Sequence, residues 1–197
     1  MTLGHSRAEK AQSRERIVSA AATRIREAGL DGISVGELMK SVNLTHGGFY
    51  GHFESRAGLI EAALERALAD GDKASALHTG ARGSMTVKSI VNSYLSPAHR
   101  DHPSSGCAIA TLAGEVGRAS PGARAVMAEQ LNQSFEAMAE ASAIDSNADQ
   151  FAVVSWSTMI GAIMISRIFA GDPKADQILE MACKSILEME TLYKSRA

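Results

Sequence analysis

SVGELMKSVNLTHGGFYGHF, residues 34–53, holds two short apolar patterns separated by a turn. Ser34 with Glu37 three residues on has the spacing of a capping box, which predicts a helix burying Val35, Leu38 and Met39. Asn43 closes that helix, Leu44 packs inward, and Thr45 is an N-cap for a third, short helix through Tyr50. Upstream, Ile17, Ala20, Ala21, Ile25 and Ala28 recur at the three- and four-residue steps of one buried helical face, and Gly29 ends this first helix. Downstream, Ser55 caps a fourth helix carrying Leu59, Ile60, Ala63, Leu64 and Leu68. Two helices joined by a short turn, with one before and a longer one after, form a helix-turn-helix arrangement whose small core is expected within residues 11–69.

Working outward, residues 71–84 read as a polar loop and 96–105 as a second loop containing Pro97 and Pro103. Helices are predicted over 85–95, 106–116, 121–142, 149–170 and 173–194, with Pro121 pre-set for a first turn. Strand-like alternation with turn dipeptides is missing, so the fold class is all-α. The expected organisation is a flexible basic arm at 1–10, the helix-turn-helix domain at 11–70 and a second helical domain at 71–197. A chain of 197 residues, 45% of them hydrophobic, can bury a substantial core. No secretory signal is recognisable near the N-terminus, and the apolar stretch 159–165 is interrupted well short of the ~20 residues of a membrane span. A cytoplasmic protein without a membrane partner is the expectation.

Charge is distributed unevenly. Arg7, Lys10, Arg14, Arg16, Arg24 and Arg26 face only Glu9 and Glu15 in the first 26 residues, while the whole chain carries a net charge of -2. A basic end on an otherwise acidic chain fits a polyanionic partner, and equally a solvated helix face. The two cysteines, Cys107 and Cys183, form no C-x-x-C pair, which argues against a disulfide scaffold or a zinc finger. No metal site and no cofactor are expected.

With Arg56 following it, the opening stretch resembles the TetR family of transcription regulators. Ser34, Leu44, Thr45, Gly47, Phe49, Tyr50, His52, Phe53 and Arg56 stand where that family has its hydroxylated helix start, turn residues, glycine, aromatic pairs and basic residue. The resemblance implies a recognition helix in the major groove of double-stranded DNA. Thr45, His46 and the backbone at Gly47 and Gly48 are then the candidates for reading bases. Ser34, Tyr50, His52 and Arg56 are the candidates for gripping phosphates. Phe49 and Phe53 read better as core, Tyr50 could simply pack its ring, His52 could brace the domain, and Lys40 could be a solvated charge. Glycines at 47, 48 and 51 cost roughly 1 kcal/mol each against alanine, so the third helix must lean on its neighbours.

For the second domain the resemblance implies a homodimer through the last two helices, an inverted-repeat operator, and a small-molecule effector that releases a repressor. Residues 151–170 are apolar nearly all round, which suits a two-fold interface or a fully buried central helix. Leu112, Met127, Phe135, Met138, Trp156 and Met159 are candidates for an effector pocket, because thioether and aromatic side chains adapt to varied apolar ligands. Cys107 joins them. Its Ser-Gly-Cys helix start resembles a branch of the family that includes electrophile-responsive repressors, and a helix N-terminus favours the thiolate. The bland alternative is a small buried residue. A helical thiol-dependent enzyme using Cys107 with His99 or His102 is the rival function, but no third orienting group, phosphate loop or paired-carboxylate motif accompanies them, so a non-enzymatic regulator is expected.

Overall fold

The computed structural model describes residues 7–79, 85–103 and 107–195, with the backbone alone over 72–79. Residues 1–6 of the expected arm, 80–84 of the first expected loop and 104–106 before Cys107 lie outside the described residues.

All regular elements among the described residues are helical. Helix α1 (Arg7–Ala28) buries Ser13, Ile17, Val18, Ala21, Ala22 and Ile25 along one face and stops at Gly29, whose φ of 75° is left-handed. A 3₁₀ turn over Leu30–Gly32 leads to α2 (Val35–Ser41), where the Ser34 hydroxyl accepts from the Glu37 amide. Thr45 then caps a second 3₁₀ segment, His46–Gly51, and the Ser55 hydroxyl accepts from the Gly58 amide in the first turn of α3 (Arg56–Thr79). The second half comprises α4 (Val87–Tyr94), α5 (Pro97–Asp101), α6 (Ala108–Val116), α7 (Pro121–Ser142), α8 (Ala148–Ile168) and α9 (Lys174–Ser195). Thr86 and Ser89 form a reciprocal capping box on α4, and Ser120 with Pro121 opens α7.

Five expectations are corrected. Residues 7–10, assigned to a mobile arm, already belong to α1, and the expected loop at 71 is helical through Thr79. The second expected loop contains α5, started by Pro97 and by the Ser96 hydroxyl accepting from the His99 amide. The third helix is 3₁₀ rather than α, consistent with three glycines in six residues. Finally, the stretch 148–168 does have the length and composition of a membrane-crossing helix, although Phe151, Ala152, Ser155, Met159, Ile163 and Ser166 line its buried side.

The core of residues 11–69 is also not closed on itself. Ile17, Ile25, Leu59 and Leu64 from α1 and α3 share one apolar cluster with Ala108, Ile109, Leu112 and Val116 of α6 and with Ala123 and Met127 of α7. About sixty residues with few large apolar side chains bury too little surface alone, and α6 completes the core. A second cluster joins α4, α7, α8 and α9 around Met138, Phe151, Met159 and Ile163. Because Leu112 is fully buried, Leu112→Ala is expected to lower stability to urea by about 2–5 kcal/mol. A loss below about 1 kcal/mol would mean that α6 is not part of the core of the first seventy residues.

Candidate nucleic-acid interface

The 3₁₀ segment is held from below by aromatic packing. Phe49 and Phe53 are buried and stacked with centroids 5.6 Å apart, and the Arg14 guanidinium of α1 lies 5.0 Å above the Phe53 ring. Both phenylalanines are therefore core, as their residue type suggested. With that side fixed, the opposite side faces solvent: Thr45, His46, Gly47 and Tyr50 are all exposed, Tyr50 by 69%. Tyr50 meets Phe49 edge-on at 5.2 Å and His46 edge-on at 6.5 Å.

The cap is local chemistry. The Thr45 hydroxyl accepts from the Gly48 amide at 3.3 Å, which directs the Thr45 side chain toward the start of the segment. A side chain at Gly36 of α2 would sit 3.7 Å from the His46 ring, so α2 runs close to the exposed segment at Gly36. Gly47 and Gly51 have nothing within 4 Å of a would-be Cβ, leaving a bare backbone edge that another molecule can approach closely.

The phosphate-gripping candidates divide. Ser34 is exposed at the start of α2, and its hydroxyl accepts from the Glu37 amide at 3.5 Å. His52 is half-buried at the end of the 3₁₀ segment, its amide donating to the Phe49 carbonyl at 2.9 Å. Arg56 is exposed and also reaches the turn before α2: it donates to the carbonyls of Leu30 at 2.7 Å and Ile33 at 3.3 Å and lies 3.8 Å from Asp31. Its first role is to hold the turn between α1 and α2. Glu115 on α6 is a partner of that same turn, accepting from the Leu30 amide at 2.7 Å. A separation of 85 residues left no local signal for that contact in the sequence.

The seven effector-pocket candidates are spread over two clusters. Leu112 and Met127 lie in the core shared with α1 and α3; Met138 and Met159 lie in the second, with Phe135 and Trp156 packed against it, and Cys107 touches both. Tyr94 and Trp156 meet edge-on at 5.0 Å, and the Trp156 indole donates to the Ser134 carbonyl at 2.8 Å. A groove of about 760 Å³ runs elsewhere, between α4, α5 and α9, lined by Leu95, Leu179, Cys183 and Leu187 and by none of the seven.

Cys107 is the N-cap of α6, and its surroundings are specific. The His99 ring bridges two backbone groups, with Nδ1 2.7 Å from the Tyr94 carbonyl and Nε2 accepting from the Cys107 amide at 3.1 Å. A carbonyl can only accept, so Nδ1 carries the proton and the ring is neutral. Burial, aided by the nearby Arg167 charge and opposed by the Tyr94 carbonyl, holds His99 below its ordinary value. With Nε2 bound to a backbone amide, His99 is not placed as a base toward the thiol. Burial and then Cys107 raise the Tyr94 phenol well above its usual range. Cys183 donates to the Asn92 side-chain oxygen at 3.2 Å, and burial pushes its thiol up.

Residues 17–63 match the family model for bacterial regulatory proteins of the tetR family. No curated protein sequence matches the chain. Among solved structures, the fold is similar to a TetR transcriptional regulator from Chloroflexus aurantiacus J-10-FL, with 23% identity, TM-score 0.76, and 93% of this chain and 96% of that one covered. It is similar also to a TetR-family regulator from Cytophaga hutchinsonii, at 19% identity and TM-score 0.77, covering 95% and 98%. The reduced form of E. coli NemR aligns at 20% identity and TM-score 0.70, covering 89% and 95%.

Two outcomes follow from this geometry. Gly51→Ala, with open space for its methyl, is expected to raise unfolding free energy by about 0.4–1 kcal/mol in urea titrations; destabilisation would mean the glycine is needed for the fold. The neutral His99 makes stability depend on pH: the unfolded ring takes up a proton near 6.5 and the folded ring only at lower pH, so stability is full above 6.5 and falls on acidification through the folded value. Melting curves from pH 7.5 to 5 should therefore fall more steeply for the wild type than for His99→Gln, and parallel curves would refute the assignment.

Proposed function

We propose that this chain, whose residues 17–63 match the family model for bacterial regulatory proteins of the tetR family, is a DNA-binding transcriptional regulator, and specifically a homodimeric repressor of an inverted-repeat operator. In this reading the edge formed by the exposed Thr45, His46, Gly47 and Tyr50 with the half-buried Gly48 enters the major groove of double-stranded DNA, with Ser34 and His52 flanking it at the backbone. The observation that carries it is the division of the 34–53 stretch: Phe49 and Phe53 anchor one side, and every exposed residue on the other is short, polar or a glycine apart from Tyr50. Arg56 contributes by holding the turn that orients α2.

Dimerisation is supported by the exposed apolar side chains of the last two helices. Val153, Val154, Met164, Ile165 and Ile168 of α8 are 40% or more exposed, as are Met181 and Leu192 of α9. A soluble monomer rarely leaves so much apolar side chain in water, and two helices from each subunit meeting about a two-fold axis would cover it. The same covering accounts for a helix with membrane-like hydropathy in a DNA-binding protein.

The effector is proposed to be a small apolar or electrophilic molecule acting on the second domain near Cys107, Phe135, Trp156, Met138 and Met159. Cys107 at the start of α6 touches both clusters, so a modification there is communicated to the core under α1 and α3. No metal-ligating group of three or more His, Cys, Asp or Glu occurs among the described residues, and the reading requires none.

Binding of fluorescent DNA from upstream of the coding sequence, against scrambled DNA at fixed near-physiological salt, tests the proposal. Wild type should prefer the upstream DNA, and Tyr50→Phe should weaken binding about ten-fold, as expected for one lost phosphate contact. Ile165→Asp with Ile168→Asp should yield a monomer in sedimentation and abolish tight binding. Equal affinity for both DNAs, or a double variant that stays dimeric, contradicts the reading.

A further inference from the structure

The first seventy residues meet the remainder of the chain through apolar packing on α6 and α7, which is strong but non-directional. Two carboxylates add direction. Glu115, on the last turn of α6, lies in the space that a side chain at Gly29 would need: its oxygens are 2.6 and 2.7 Å from the position of a Cβ there. From that seat it accepts from the Leu30 amide at 2.7 Å. The turn it holds is gripped from the other side by Arg56, which donates to the Leu30 and Ile33 carbonyls and begins α3. This turn leads directly into Ser34 and α2.

The second contact is the reciprocal of the first. Glu61 of α3 crosses to the start of α7, where it accepts from the Ser120 hydroxyl at 2.9 Å and fills the space above Gly122 that a side chain would occupy. Ser120 in turn caps α7 by accepting from the Ala123 amide at 3.2 Å. A carboxylate beside a helix N-terminus is electrostatically favoured. Each half of the molecule thus places one carboxylate over a glycine at a helix end of the other. One such point would leave the reading head free to pivot on its apolar bearing; two separated points remove the pivot.

We propose that Glu115 and Glu61 are positioning residues that set the angle of the reading head on the second domain, and thereby the half-site spacing that the dimer accepts on DNA. The inference rests on the dimeric DNA-reader reading above. Glu115 fixes the end nearest α2, and Glu61 fixes α3 against α7. Loss of either contact leaves the base-reading edge unchanged, because neither touches residues 45–50, and frees the distance between the two heads.

The test is selection from randomised DNA with the full-length wild type, followed by affinities for inverted repeats of the selected half-site at a series of spacings. Wild type should favour one spacing at least ten-fold over spacings one base pair longer or shorter. Glu115→Ala, and Gly122→Ala whose methyl evicts Glu61, should select the same half-site and lose at least five-fold of that ratio. Glu115→Gln, which retains an oxygen to accept from Leu30, should stay close to wild type. If Glu115→Ala fails to fold, Gly122→Ala and Glu115→Gln give the same comparison. An unchanged ratio in the variants, with only a lowered melting temperature, overturns this inference alone, as does a wild type that binds its half-site at all spacings equally. Selection of no DNA by the wild type overturns the DNA-reader reading and this inference with it.

Discussion

Burial of α6 against α1 and α3 is the contact on which the rest of the molecule depends. Ile109 and Leu112 are almost fully removed from water, and they lie beside Ile17, Ile25, Leu59 and Leu64 rather than within a core of their own. Each such side chain contributes roughly 1.5–3 kcal/mol on burial, comparable with a large fraction of the net stability of a domain. The reading head is therefore stable because a segment some fifty residues away in sequence completes it. The same helix carries Cys107 at one end and Glu115 at the other, so chemistry at its start and geometry at its finish belong to one rigid element of nine residues.

The exposed 3₁₀ segment shows a compromise between accessibility and stability. Glycines at 47 and 51 leave a backbone edge with no side chains around it, which allows close approach, and they also weaken the helical conformation. Stability is restored by side chains, through the Thr45 cap, the stacked pair Phe49 and Phe53, and the Arg14 guanidinium over Phe53. A tighter 3₁₀ winding is the conformation that results.

Much of this was legible in the sequence because it depends on neighbours. The caps at Ser34, Thr45 and Ser55, the end of α1 at Gly29, the span of α7 from Pro121 to Ser142 and the burial of Phe49 and Phe53 follow from hydroxyl positions, a glycine and a helical period. What was not legible depends on distant partners. Arg56 donates to carbonyls 23 and 26 residues before it, contacts that no local pattern announces. The seats of Glu115 over Gly29 and of Glu61 over Gly122 join residues that no local pattern connects. Residues 71–79 look like a loop by polarity, yet continue α3, because a helix already nucleated by a buried face extends through polar residues at little cost. The three methionines among the pocket candidates do not share a place, since methionine fills both cores.

Native-state hydrogen exchange measured against increasing urea tests the shared core most directly. If α6 completes the core of the first seventy residues, the slowest amides of α1, α3 and α6 should open with one common free energy and converge on a single dependence on urea. If α1 and α3 instead remain protected after α6 has opened, the reading head is a unit that folds by itself, and the coupling between its orientation and the second domain has no physical basis.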